Sequence, residues 1–373
     1  MSAKLSILGL LTAGVLLSGA SQASTLGYIF TDLGTRWGGQ STAKAINEAG
    51  QVAGYAPATS NGAAHATLWD GPTVTDLGTL GGSYSFAHAI NNAGQVAGYA
   101  YTTGDAAVHA TLWNGTTATD LGTLGGTRTI SFANAINDAG QVAGWAHIPA
   151  GGASHATLWN GTKATDLGTL GGTQSTANAI NDAGQVVGSA STMGNATTHA
   201  TLWNGTTATD LGTLGGTQST ANAINEAGQV VGYSNTTGNA AEHATLWNGI
   251  TATDLGTLGG TYSYANDINN AGQIVGGATT TGGATITHAT LWNGTTATDL
   301  NNFLDASTVN AGWVLTEATG INDQGWIIGN LRNPSNTVNH AFLLTPIPEP
   351  ETYAMLLAGL GLMGFMSRSR KTA

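Results

Sequence analysis

The chain has 373 residues, 56 of them Gly, with no Cys and a charged fraction of 8%. Without Cys there is no disulfide scaffold, thiolate zinc site or cysteine nucleophile, and a formal net charge of -11 excludes a basic face for nucleic acid. A hydrophobic fraction of 41% with 10 Trp supplies apolar surface for a core and argues against disorder.

Residues 1–23 read as a secretory signal peptide. Lys4 is the positive start, Leu5 to Leu17 the apolar stretch, and Ser21-Gln22-Ala23 the small-residue exit, with cleavage expected between Ala23 and Ser24. The apolar stretch is short for a membrane span.

Residues 24–347 are one repeat domain. The phrase HATLW recurs from His65, His109, His155, His199, His243 and His288, with HAFLL at His340. TDLGTLGG recurs around Asp76, Asp120, Asp166, Asp210 and Asp254, with variants at Asp32 and Asp299. AIN-x-x-GQVVG recurs at Asn47, Asn91, Asn137, Asn181 and Asn225, and more loosely at Asn269 and Asn322. The period is about 44 residues, and each unit reads as four short strands. In residues 177–211 these are Ala177 to Asn181, Gln185 to Ser189, His199 to Trp203 and Thr206 to Leu211. Asp182-Ala183-Gly184 is a tight turn and Asn204-Gly205 a hairpin signal. Four strands per unit and seven units lead to the expected fold: an all-β, seven-bladed β-propeller. The chain opens with a lone fourth strand, Gly27 to Leu33, and the last unit stops at its third, so the N-terminal strand is expected to close the fold. Loops between second and third strands (57–64, 102–108, 148–154, 191–198, 332–339) vary most and are candidate binding surfaces.

The recurrent His raises the question of catalysis or metal. With Asn204-Gly205 at the turn, Trp203 is expected opposite Thr206 and His199 opposite Asp210. The same spacing pairs His65 with Asp76, His109 with Asp120, His155 with Asp166, His243 with Asp254 and His288 with Asp299; closure would pair His340 with Asp32. Seven copies spread over seven units do not converge on one substrate, so these pairs are expected to be structural. The pattern resembles the structural His and Asp of WD-repeat proteins. No catalytic, metal-binding or cofactor-binding residue is assigned, and no cofactor is expected. The Trp of each HATLW is expected in packing; Trp37, Trp145, Trp313 and Trp326 break the pattern and are better site candidates. The DAG, EAG and NAG turns lack the oxygen-ligand density of a calcium loop. The Asn-Gly-Thr sequons at Asn114, Asn160, Asn204 and Asn293 fall on expected hairpin turns. Off-pattern ionisable residues are Lys44, His88, Asp105, Arg128, His147, Lys163, Glu242, Asp267, Asp305, Glu317 and Arg332, scattered along the sequence.

Residues 348–373 begin with Pro348-Glu349-Pro350, continue through an apolar run from Tyr353 to Met366, and end in Arg368, Arg370 and Lys371. Apolar run followed by basic cluster suits a tail caught in the inner membrane with its basic end on the cytoplasmic side; fourteen apolar residues are short for a permanent span, so a transient stop before processing is expected. The three-part order resembles the PEP-CTERM protein-sorting signal. The resemblance implies handling by an exosortase, cleavage near Pro348-Glu349-Pro350, and export to the surface or matrix of a Gram-negative bacterium that makes exopolysaccharide. The repeats resemble the HAF family of bacterial extracellular repeats, with His340-Ala341-Phe342 matching its signature and the DLGTLGG and AIN-x-x-GQVVG phrases matching as well. That resemblance implies a secreted repeat protein and carries no reaction or ligand with it. The expected function is non-enzymatic association with exopolysaccharide or another envelope component. The alternatives are a polysaccharide lyase or hydrolase and a self-associating surface protein.

Overall fold

The computed structural model describes residues 27–34, 40–58, 62–125, 130–149, 152–281, 287–333 and 338–347. Ala23 and Ser24, Pro348, Glu349 and Pro350, and Arg36, Trp37 and Arg128 lie outside the described residues.

The described residues are almost wholly β, with 28 strands, four short 3-10 turns and one α-helix, Ala306–Asn310. The fourth repeat shows the build. Its strands are Gly171–Ile180, Gln185–Thr192, Thr198–Asn204 and Thr207–Asp210, joined antiparallel in sequence order. The first strand starts six residues before the Ala177 expected from sequence. Gly171-Gly172 reads as a link because paired glycines usually mark turns, yet here they bring backbone against backbone. A Cβ on Gly172 would stand 2.6 Å from the Thr192 carbonyl oxygen.

A bulge in the first strand is the repeat's main irregularity. Pairing runs Ala177 to Gly188 and then Ala179 to Val187, which leaves Asn178 outside the ladder. Gly188 makes the bulge possible: a Cβ there would sit 2.0 Å from the Thr176 carbonyl oxygen. Freed from pairing, Asn178 donates through Nδ2 to the carbonyl of Ala221 in the next repeat, 2.8 Å.

The core lies between repeats. Trp203 and Ile180 of the fourth repeat pack with Ala143 and Leu167 of the third, and the same contact recurs along the chain. The six HATLW Trp are at most 2% exposed. Each contributes on the order of 4 kcal/mol of apolar burial. Alanines such as Ala177, Ala200 and Ala221, with no exposed surface, let neighbouring sheets approach closely.

The expected seven-bladed propeller closed by its N-terminal strand is corrected by the backbone pairing. The strands form separate sheets, four of four strands and one of twelve, and none closes on itself. The twelve-stranded sheet arises because single parallel bridges, Thr198 to Gln218 and Glu242 to Tyr262, join three repeats. The N-terminal strand Tyr28–Asp32 pairs antiparallel with Val338–Pro346. It completes the edge of the last repeat's sheet, Val314–Ile321, Ile327–Asn333 and Val338–Pro346, and leaves that sheet open. First strands of successive repeats touch one another, and the last touches the first. These contacts are made by side chains, without a continuous ladder.

Candidate functional site

The hairpin of third and fourth strands sets the His–Asp geometry. Asn204 pairs with Thr207 and Trp203 with Ala208, so Gly205 and Thr206 form the turn and Asp210 lies opposite Thr201. This register differs from the expected one because both central residues belong to the turn, where Gly205 takes φ +59. His199 lies two residues beyond Thr201 on the same face, and its Nδ1 stands 2.8 Å from Asp210. The corresponding distances are 2.9 Å for His65–Asp76, 2.7 Å for His109–Asp120, 2.8 Å for His155–Asp166 and His243–Asp254, 2.6 Å for His288–Asp299 and 2.7 Å for His340–Asp32. Asp210 also accepts from Gly212 N at 2.8 Å, and Asp32, Asp76, Asp120, Asp166 and Asp254 hold the Gly two residues on in the same way. Each carboxylate thus ties its strand end to a His and to the link that follows. The His288 imidazole is pushed up by its hydrogen bond to Asp299. Burial opposes ionisation of Asp299, but His288 and Asn301 outweigh it and lower its pKa. Among the described residues, no group of three His, Asp or Glu is placed to hold a metal ion.

Two further side-chain systems recur that sequence reasoning passed over. A buried Ser follows the GG link. Ser219 donates to Gly212 O at 2.7 Å and accepts from Ala200 N at 2.9 Å, clamping one repeat to the next. Its recurrence as Ser85, Ser131, Ser175 and Ser263 was the available signal. The Asn of AIN forms the second system. Asn47 Nδ2 donates to Asn91 O, Asn91 to Asn137 O, Asn137 to Asn181 O, Asn181 to Asn225 O, Asn225 to Asn269 O, Asn269 to Asn322 O, and Asn322 back to Asn47 O, all at 3.1–3.3 Å. The following residue makes a parallel cycle in which each backbone N–H donates to the next repeat's side chain: Glu48 to Asn92, then Asp138, Asp182, Glu226, Asn270, Asp323 and back to Glu48. These side chains surround a cavity of about 210 Å³ at one end of the first strands. The DAG, EAG and NAG turns are therefore joints between repeats.

Off-pattern residues gather on the same first strands. Asp267, Glu317, Lys44 and His88 stand on the first strands of repeats six, seven, one and two, which are consecutive neighbours. Asp267 replaces the Ala of the first five repeats and accepts from Ile268 N and Ile321 N at 2.9 Å. Burial pushes its pKa up to about 7. Glu317 accepts from Asn330 Nδ2 at 2.8 Å and from the Tyr264 hydroxyl at 3.2 Å. His88 is 3.3 Å from Asn134 Oδ1. Burial, and then the Lys44 charge, lower its pKa to about 4. The remaining described members lie elsewhere. Asp105 holds Ser83 N, Asp305 caps the helix through Thr308 N, and Lys163 and Arg332 are exposed.

One cross-strand register is chemically uneven. The first and second strands pair Thr42–Tyr55, Phe86–Tyr99, Phe132–Trp145, Thr176–Ser189, Thr220–Tyr233, Tyr264–Gly277 and Glu317–Asn330 in turn. In the first three repeats the rings touch in series. Centroid separations are 5.0 Å for Tyr55–Phe86, 4.9 Å for Phe86–Tyr99, 4.3 Å for Tyr99–Phe132 and 4.6 Å for Phe132–Trp145. All five are half-buried, unlike the HATLW Trp. Trp313 lies beside His340 at 5.0 Å, and Trp326 covers Gly50 where the last repeat meets the first.

A family model for the PEP-CTERM protein-sorting motif matches residues 346–371. The chain thus carries an export signal of the kind recognised by exosortase, with a C-terminal membrane-anchoring segment. Among the described residues no helix is long and apolar enough to cross a membrane. No curated protein matches the chain. A similar solved structure is that of TolB from Acinetobacter baumannii, 10% identical with a TM-score of 0.44. The match covers 80% of this chain and 64% of that one, so the chain spans less than two thirds of its length.

Proposed function

We propose that this exported protein is a non-enzymatic module of the HAF-repeat type that binds exopolysaccharide at the cell surface or in the matrix of a Gram-negative bacterium. The observation that carries the reading is the sorting motif over residues 346–371, which sends the whole repeat domain out of the cytoplasm. The seven His–Asp pairs support it: six serve their own hairpins and His340–Asp32 serves the pairing of the N-terminal strand with the last repeat, one per repeat, as a structural tie does. In the test, mature protein recovered after export is mixed with exopolysaccharide from the producing strain, and the retained protein and the polymer length are measured. Retention with intact polymer is the expected result; no retention overturns the reading.

A second reading, an enzyme acting on polysaccharide, draws on one specific observation. Asp267, Glu317, Lys44 and His88 are distant in sequence yet share consecutive first strands, and Asp267 holds its proton to about pH 7, as a general acid must. Shortened polymer in the same experiment is its outcome.

A further inference from the structure

The aromatic series of repeats one to three sits in a strand register that other repeats fill with different chemistry. Phe86 and Tyr99 occupy the register that Thr176 and Ser189 fill in the fourth repeat. Thr and Ser fit there, so packing of the sheet does not demand rings. Fully buried Trp elsewhere already supply the core. The rings instead stay half-buried and in contact with one another across three repeats.

The patch extends outward and inward along the second repeat. Tyr84 lies two residues before Phe86 on the same strand, 41% exposed, and contacts Tyr101 at 5.5 Å. His88 lies two residues after Phe86, 5.2 Å from Tyr99. The strand's pairing shifts at Gly81–Ser85 and again at Ala87–Ala89, so ring contacts rather than strand alternation extend the patch: Tyr84 against Tyr101 at its outer end and His88 against Tyr99 at its inner end, where His88 is held near Asn134. Tyrosine hydroxyls add donors beside the rings, and the Lys44 charge acts on His88 at the inner end. A wall of rings with a few polar groups is the surface chemistry of a pyranose site, where the axial C–H face lies on a ring and the hydroxyls reach the polar groups.

Charge narrows the ligand. Lys44, Lys163 and Arg332 are the only Lys or Arg among the described residues, and the chain carries a net charge of -11. Glu48, Asp138, Asp182, Glu226 and Asp323 surround the cavity at the other end of the first strands. Asn92 lies six residues beyond Phe86, about 20 Å along an extended chain. Salt screens most of that cluster's field at the rings themselves, but a polymer long enough to run past it, and the net negative charge of the chain as a whole, disfavour a polyanion.

We propose that the half-buried ring series Tyr55, Phe86, Tyr99, Phe132 and Trp145 is a binding site for a neutral polysaccharide chain. The proposal rests on the polysaccharide-binding reading above and adds to it a location and a ligand charge.

The test uses mature exported protein and two probes, the neutral and acidic fractions of the producing strain's exopolysaccharide separated by anion exchange. The double variant Phe86→Thr/Tyr99→Ser copies the fourth repeat's pair. It should bind the neutral fraction about tenfold more weakly than the parent while still folding cooperatively, at a melting temperature lowered by the lost ring packing. Hydrogen exchange on the parent protein gives a readout that needs no variant: the neutral fraction should protect segment 84–101 and leave its counterpart 174–191 unprotected. Equal binding by parent and variant, or parent preference for the acidic fraction, overturns this site while exopolysaccharide binding itself stands. Protection confined to the loops between second and third strands also overturns it. Retention of neither fraction by the parent overturns both readings.

Discussion

Asp267 occupies a place held by Ala45, Ala89, Ala135, Ala179 and Ala223 in the first five repeats. Its folded pKa of about 7 stands above the unfolded carboxylate value of about 4. Between those values the folded protein keeps a proton that the unfolded chain has lost, so stability falls as pH rises through that window. His288, raised by Asp299, acts in the same direction: its contribution is full below the ordinary His value and is lost above its raised one. Asp267→Ala should therefore reduce, without abolishing, the drop in melting temperature between pH 5 and pH 8. An undiminished drop would remove Asp267 as its source. The His–Asp pairs allow a second prediction. His199→Ala should lower the melting temperature by about 2 °C, as expected for one part-exposed cross-strand pair, and leave polymer binding intact. Lost binding at an unchanged melting temperature would contradict the structural role. The eleven-residue spacing was legible because Asn-Gly marks the hairpin. The register was misread by two residues because the turn's second central residue, Thr206, has an ordinary strand composition.

Within one element, the bulge at Ala177–Ala179 decides how repeats meet, since it releases Asn178 to reach Ala221. Gly188 is the condition for it, and Gly54, Gly98, Gly144, Gly232, Gly276 and Gly329 face the same close carbonyl in their repeats. Gly188→Ala should destabilise the protein by on the order of 3 kcal/mol, seen as a lower urea midpoint. A midpoint within error of the parent would mean the first strand can shift away at little cost. The recurrence of Gly was plain in the sequence, but its reason was not. The oxygen it must avoid belongs to another strand, and no local pattern records that approach. The ring series was hidden for a related reason. Phe86, Tyr99, Phe132 and Trp145 lie on four different strands of two repeats, and only the shared register and the contact of neighbouring repeats assemble them.

At the scale of the molecule, strand count and repeat number were legible, while the mode of association was not. A closed sheet-based architecture was expected; the sheets are open, and the cycle is completed by Asn side chains, which strand periodicity does not reveal. Asn181 has three duties, donating to Asn225 O and Gln185 Oε1 and accepting from Gln185 N. Asn181→Ala strands those groups in a buried joint and should cost about 1–3 kcal/mol. Calorimetry checks whether the transition stays single; a separate early transition would mean the repeats are less coupled than this cycle implies. The strand Tyr28–Asp32 covers the backbone edge of Val338–Pro346. Without it an unpaired edge is exposed, and a chain lacking residues 24–33 should associate with itself as concentration rises, measurable by light scattering.

The Asn cycle also bears on how such a gene can change. Near-identical tandem segments readily gain or lose a copy by unequal recombination. Here the last donor returns to the first acceptor, Asn322 to Asn47. A lost or added copy alters the step between every pair of neighbours, and the return bond fails unless all the joints readjust. Copies can diverge in place, as Phe86 and Thr176 have done, far more easily than they can change in number. Inheritance in this array therefore favours variation of what each unit displays over variation of how many units there are.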